Sequence, residues 1–415
     1  MPPLTTARYR DALALPRVPL TFGTALIGRS AYALVLLPLL YAITDATGSI
    51  AVAGIALALY GATASVLAPV RASLIDRYGA RRVLTILVLL FCSTLGALAT
   101  TSLVGGSGLQ LVILAAIAGA VAPPVGPTMR VAWGSLTPSP ELLKKGLSFD
   151  AVVEELLYLV GPAVSGLALA FIAPGVALII PAILVLVGGL LFTATPAVGA
   201  MRARDRHPPE SGREQFKLKP LILDARFVGL LLPALIAGSV AGSLSVAVPV
   251  ALATYGGSAA AGIALGLFAG GSALGGLLYG ALKVPGSPAR QLVVLSVVLL
   301  ASTSLIAVVT GAVAVSMVLV VAGLFFSPVM IVTYVAAHTS GGEHQQNSAM
   351  TWVNTSHNIG GAAGSALAGV LIQASGVPAA IGGIAVSALL LLVVSAMLSG
   401  RSVKPAPEPV VKRES

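Results

Sequence analysis

Long apolar runs separated by very short turns fill almost the whole chain. Stretches able to cross about 30 Å of hydrocarbon at about 1.5 Å per helical residue fall near 17–42, 50–74, 83–103, 109–132, 148–172 and 176–198. A second set follows near 224–252, 259–282, 290–310, 313–337, 346–374 and 377–399. Between the sets lies one polar segment, carrying MRARDRHPPESGREQFKLKP. The pattern predicts an all-α membrane protein of twelve transmembrane helices. Its expected parts are a six-helix bundle over 1–198, a linker loop over 199–222, a second six-helix bundle over 223–400 and a disordered tail over 401–415. Within the loop, a short surface helix is expected near 210–217.

Composition agrees with the pattern. Of 415 residues, 57% are hydrophobic and only 9% charged, against about a quarter charged in soluble domains, so no soluble core accounts for the chain. Its 46 Gly and 27 Pro are scattered through the apolar runs, which suits helices that pack closely in lipid and bend where neighbours re-satisfy the backbone. The single Cys92 sits inside an apolar run and offers no disulfide or thiolate metal site. The first apolar segment is too long for a cleavable signal and is followed at once by another.

A net charge of +10 raises the question of nucleic acid, but the basic residues lie between apolar segments and form no soluble basic face. Their placement instead gives orientation. With the amino terminus cytoplasmic, Arg8, Arg10, Arg17, Arg77, Arg81, Arg82, Lys144, Lys145, Lys283, Arg290, Arg401 and the central-loop cluster all fall on one side. The opposite loops, around Asp45, Gly106, Pro174, Gly256, Gly311 and Gly376, carry no Lys or Arg. The positive-inside rule then puts both termini in the cytoplasm, and the high Ala, Gly, Val and Arg-over-Lys usage suits a GC-rich bacterium, so a bacterial plasma membrane is expected.

The halves also resemble each other. VAGIALALYG from Val52 matches AAGIALGLFA from Ala260, with the shared GIAL starting at Gly54 and Gly262, 208 positions apart. EELLYLVGPAVSGLALAFI from Glu154 lies over VNTSHNIGGAAGSALAGVLI from Val353, which sets Gly161 opposite Gly360 and Glu155 opposite Asn354. A parallel duplication places a substrate path between the halves near the midplane.

The segment ASLIDRYGARRVL (72–84) resembles the loop signature of the major facilitator superfamily at Leu74, Asp76, Arg77, Gly79 and Arg81, departing from it at Ala72 and Ala80. The resemblance implies two pseudo-symmetric six-helix bundles, alternating access, and a loop that steadies the outward-facing state. Physically, Asp76 is placed to cap the third span and to pair across the seam between halves. GPAVSG (161–166), with Gly161, Pro162, Ser165 and Gly166, is similar to the antiporter signature of drug-exporting members, and is equally a close-packing seam. It implies proton-coupled export of a small molecule. The rivals are uptake or facilitated diffusion of a sugar or organic anion and, in another class, a channel or lipid-moving protein.

Buried charges carry the candidate chemistry. Arg29 falls mid-way along the first span, where an arginine costs about 2.5–3.5 kcal/mol on insertion scales, so it requires a watery cavity or a partner. Arg130 lies near the basic end of the fourth span, and Arg130 and Arg71 are shallow enough to snorkel. Asp150 and Glu154 are one turn apart on the fifth span, while Glu155 points about 100° away. A carboxylate alternating between an apolar site and a cation takes up and releases a proton. Glu155, then Glu154, is the expected carrier, with a static ion pair as the competing role. Drug antiporters with an acid in the first span differ from this chain, which has Arg29 there. Tyr334, Asn354 and His357 are candidate cavity residues of the second half.

No phosphate-binding loop, nucleophile–base pair or His-x-x-x-His spacing is present, so neither an ATP-driven pump nor an enzyme is expected. The expected protein is a monomer without metal or cofactor, with the bilayer and a small-molecule substrate as its partners and a proton gradient as its drive.

Overall fold

The computed structural model describes residues 9–201, 221–282, 284–340 and 342–399, and all regular structure among them is helical. The expected helix at 210–217, most of the linker and the tail lie outside the described residues. Ten of the described helices are long and apolar enough to cross a bilayer, and the pair Ile50–Val66 and Ala68–Tyr78, bent by 42°, makes an eleventh span. The helix Gly342–Ser399 breaks at Gly376, where φ is 83° and ψ 178°, a conformation open to glycine. Its apolar stretch of 50 residues far exceeds the roughly 20 that one crossing needs, so it supplies two spans and completes twelve.

Local signals set the helix starts. Ser49 accepts from the Val52 N–H at the head of the second span. Ser107 and Gln110 close a capping box on the fourth, and Ser139 caps the fifth with Pro140 in the first turn. Two spans that read as continuous in sequence are broken. The second bends at Leu67, ahead of Pro69, and resumes as Ala68–Tyr78. The fourth divides into Gly108–Val121 and Val125–Leu136 around Pro123 and Pro124.

In the first half, the first span packs on the fifth and sixth, the second on the fourth, and the third on the sixth. In the second half, the seventh packs on the eleventh and the eighth on the tenth. Two seams join the halves, second span on eleventh and fifth on eighth. Both are glycine contacts. A Cβ added at Gly54 would lie 2.6 Å from the Ser365 carbonyl oxygen and 3.0 Å from the Gly369 Cα. One added at Gly262 would lie 2.2 Å from the Pro162 oxygen and 2.9 Å from the Gly166 Cα.

These seams correct the repeat. Gly54 and Gly262 are equivalent through GIAL, so their partners Gly369 and Gly166 are equivalent too, at an offset of 203. The sequence match of Gly161 with Gly360 has an offset of 199, one helical turn away. Small residues recurring every four positions let the alignment slip by that turn. At the structural offset Glu154 corresponds to His357, and Asn354 corresponds to Ala151 rather than Glu155.

The glycine contacts between halves lie from mid-membrane to the end without Lys or Arg, called the neutral end below. There Gln373 Oε1 accepts from the Ile50 N–H at 3.1 Å, tying the eleventh span to the head of the second. The neutral end is closed in this conformation.

Candidate functional site

Four charged side chains from three spans meet in the first half. Arg29 Nη1 donates to Asp150 Oδ2 at 3.1 Å and Nη2 lies 3.0 Å from Oδ1, with both side chains buried. Arg130 Nε stands 3.5 Å from the same Asp150 Oδ2, and its Nη2 bonds Glu154 Oε2. The i, i+4 spacing of Asp150 and Glu154 sets both acids on one helix face. Gly126, just past the fourth-span break, borders the cluster: a Cβ there would be in ordinary van der Waals contact with Arg29 Cδ at 3.4 Å and Glu154 Oε1 at 3.7 Å. Behind the cluster the Phe22 ring lies 5.6 Å from the Arg29 guanidinium carbon and packs on Trp133 and Phe149.

Burial is graded across the cluster. Asp150 is 0% exposed, Glu154 25% and Arg130 46%. The Arg130–Glu154 side is therefore partly exposed, and the buried Arg29–Asp150 pair lies behind it. Glu155 continues the same helix; its side chain lies outside the described ones.

The fifth span is fixed on both sides by its small residues. A Cβ added at Gly161 would fall 2.6 Å from Ala33 Cβ, and Ser165 Oγ donates to the Leu34 carbonyl at 2.8 Å. Gly161 and Ser165 thus hold the first span, whereas Pro162 and Gly166 abut the eighth.

Two expectations for the 72–84 segment change. The second span continues as helix to Tyr78, so Asp76 lies inside its last turns and the third span starts at Ala80 without a side-chain cap. Among the described residues Asp76 forms no ion pair across the seam, because the contacts between halves are made at the opposite end. Gly79 is the turn, with φ 86° and ψ 143°. Arg81 bonds the Thr193, Ala194 and Thr195 carbonyls, satisfying the carboxyl end of the sixth span. Arg77 lies over the Tyr78 ring.

In the second half Tyr334 donates to Asn354 Oδ1 between the tenth and eleventh spans, and His357 meets the Phe326 ring edge-on at 5.8 Å. A Cβ at Gly119 would meet the Tyr60 oxygen, as one at Gly323 meets that of Phe268. The offset of 204 makes Tyr334 the counterpart of Arg130. The contact between fourth and fifth spans is ionic, while its counterpart between tenth and eleventh is neutral.

The sequence offers Arg71 only as a side chain able to snorkel. Rather than snorkelling, it is 6% exposed and donates to the Gly119 and Ala120 carbonyls at 3.1 and 2.8 Å, and to that of Ala64. Arg130 does not snorkel either; its guanidinium turns to Asp150 and Glu154.

The Major Facilitator Superfamily model matches residues 20–284 and 230–415. The chain belongs to this superfamily. Solved structures share the major facilitator fold at low identity. The nucleoside transporter NupG superimposes with a TM-score of 0.69 and 14% identity, over 93% of this chain and 99% of its own. A POT family transporter in complex with 5-aminolevulinic acid gives 0.67 and 14%, over 92% and 95%. A bacterial homologue of the human lysosomal transporter Spinster, inward-facing and unoccupied, gives 0.66 and 14%, over 94% and 96%. No curated protein matches the sequence. This major facilitator protein is therefore a multi-pass membrane transporter and not an enzyme, and the four-charge cluster lies within a transporter fold.

Proposed function

We propose that this transporter is a proton-coupled exporter of a small drug-like molecule, with Glu154 as the exchangeable site. One observation carries the reading: Arg130 stands between two carboxylates, one fully buried and one partly exposed. With Glu154 ionised, Arg130 is shared. With Glu154 protonated, its attraction for the guanidinium falls away and Arg130 closes on Asp150, which Arg29 already anchors. Proton uptake thereby becomes a side-chain movement at the cavity wall. Both arginines are engaged by acids, which weighs against an organic anion as substrate, and the likeness of GPAVSG to the exporter signature favours efflux. The neighbouring Glu155, first choice from the sequence, is separated from Glu154 by comparing Glu155→Gln with Glu154→Gln. The placement of Lys and Arg supports cytoplasmic termini in a bacterial plasma membrane. The rocking bodies are the two six-helix bundles of a monomer, joined by 199–222.

The test uses everted membrane vesicles with an imposed pH gradient, challenged with hydrophobic drug cations and organic anions. Compound-evoked proton movement is expected with the cations and is expected to disappear when an ionophore collapses the gradient. Substrate flux indifferent to the gradient would replace this reading with facilitated diffusion.

A further inference from the structure

In a helix the carbonyl of residue i accepts from the N–H of residue i+4. The residues four beyond Gly119 and Ala120 are Pro123 and Pro124, neither of which has an N–H. Both carbonyls lose their i+4 donor inside a membrane span, where water does not substitute; Gly119 keeps a 3.3 Å bond from the Ala122 N–H. Arg71 Nη1 donates to both, at 3.1 and 2.8 Å. Its Nη2 donates to Ala64, in the last turn before the break in the second span, where carbonyls also lose helix partners. One planar guanidinium thus joins the breaks of two spans.

Around this point the neutral-end portions of both spans are already fixed. Thr63 Oγ1 donates to the Ala116 carbonyl at 2.8 Å, and Gly119 fits against the Tyr60 backbone too closely for any side chain. The basic-end portions are separated from these by the backbone breaks. Val125–Leu136 is cut from the helical ladder by two prolines, the usual origin of a kink, and it carries Arg130. Arg71 stands in the first turn of Ala68–Tyr78, and its own N–H bonds the Leu67 carbonyl. The duplicated half differs: 208 positions on stands Tyr279, whose hydroxyl bonds Gln291 instead. The bracket is confined to the half that holds the charges.

We propose that Arg71 is a positioning residue for transport: it brackets the half-spans Ala68–Tyr78 and Val125–Leu136 and so sets where Arg130 stands relative to Asp150 and Glu154. The bracket is read from geometry, while its bearing on transport rests on the role proposed for Glu154, so the test measures geometry first. Nitroxide labels at Val131→Cys and Val152→Cys, both exposed, in a Cys92→Ala background of the full chain, report the distance between Val125–Leu136 and the fifth span. With Arg71 present one narrow distance is expected. In Arg71→Gln the distribution is expected to broaden and move by about 3–5 Å, the scale of one helical turn, with circular dichroism and elution unchanged. Arg71→Lys, whose compact ammonium lacks the planar fork, should give an intermediate shift, and serves as the readout if Arg71→Gln does not fold. Adding Pro123→Ala and Pro124→Ala to Arg71→Gln returns helical donors to both carbonyls; a narrow distance displaced from wild type is expected. Return to the wild-type distance in that triple variant would mean that Arg71 only satisfies carbonyls. Wild-type distances in Arg71→Gln would sink the bracket and leave the Glu154 reading intact. Displaced distances with an unchanged gradient dependence of transport would also overturn the proposal, and alone among these outcomes would count against Glu154.

Discussion

Asp150→Asn should produce the largest loss of stability of any substitution in the charge cluster, about 3–5 kcal/mol, the usual cost of removing one partner from a buried ion pair. Asp150 is fully buried and holds Arg29, itself buried in the first span. Neutralising the acid leaves that guanidinium deep in the protein with no carboxylate to balance it, and also removes the anchor on which Arg130 closes. Thermal unfolding of the purified protein in detergent is the measurement. The double variant Arg29→Met/Asp150→Leu should recover most of the melting temperature, because apolar side chains of similar size replace a buried pair at little cost. It should not recover transport. A single Asp150→Asn variant that melts like wild type would show that the pair contributes nothing to folding.

Gly262→Leu should hold the transporter open at its neutral end. There is no room for a side chain where a Cβ would lie 2.2 Å from the Pro162 oxygen, and the obstacle is backbone, so closure of the fifth and eighth spans is blocked. A thiol at Ser258→Cys in a Cys92→Ala background should react with a membrane-impermeant maleimide about tenfold faster in the variant, a population shift of about 1.4 kcal/mol. Gly54→Leu should behave alike, since it meets the eleventh span in the equivalent way. Gly61→Leu is the control, for no atom lies within 4 Å of a Cβ there. Equal labelling rates in all three would mean that the seams do not control access.

Much of this is legible in the chain because a bilayer imposes simple rules. Twelve crossings, the repeat and the meeting of Arg29 and Arg130 with the acids of the fifth span follow from span length, charge cost and helical spacing. What escapes depends on facts that only the fold supplies. Pro123 and Pro124 announce two missing i+4 donors in the sequence, yet nothing there says that Arg71 of another span reaches the carbonyls concerned. The 72–84 signature suggests a loop at Asp76, while the bend at Leu67 lets the helix run on to Tyr78. The repeat slips by one turn because Gly and Ala recur every four residues, which hides the correspondence of Glu154 with His357. Directionality of transport and the identity of the substrate belong to cavity side chains whose arrangement no linear spacing encodes.

The central claim is that protonation of Glu154 couples the gradient to substrate movement. Its most direct test reconstitutes wild type, Glu154→Gln and Glu155→Gln in liposomes and compares two fluxes of a compound that evokes proton movement: exchange against the same compound, and accumulation driven by an imposed pH gradient. A glutamine at the carrier position mimics the protonated state, so exchange should persist in Glu154→Gln while gradient-driven accumulation is lost, with Glu155→Gln retaining both. Accumulation that survives in Glu154→Gln would contradict the account, and its loss in Glu155→Gln alone would move the carrier by one residue.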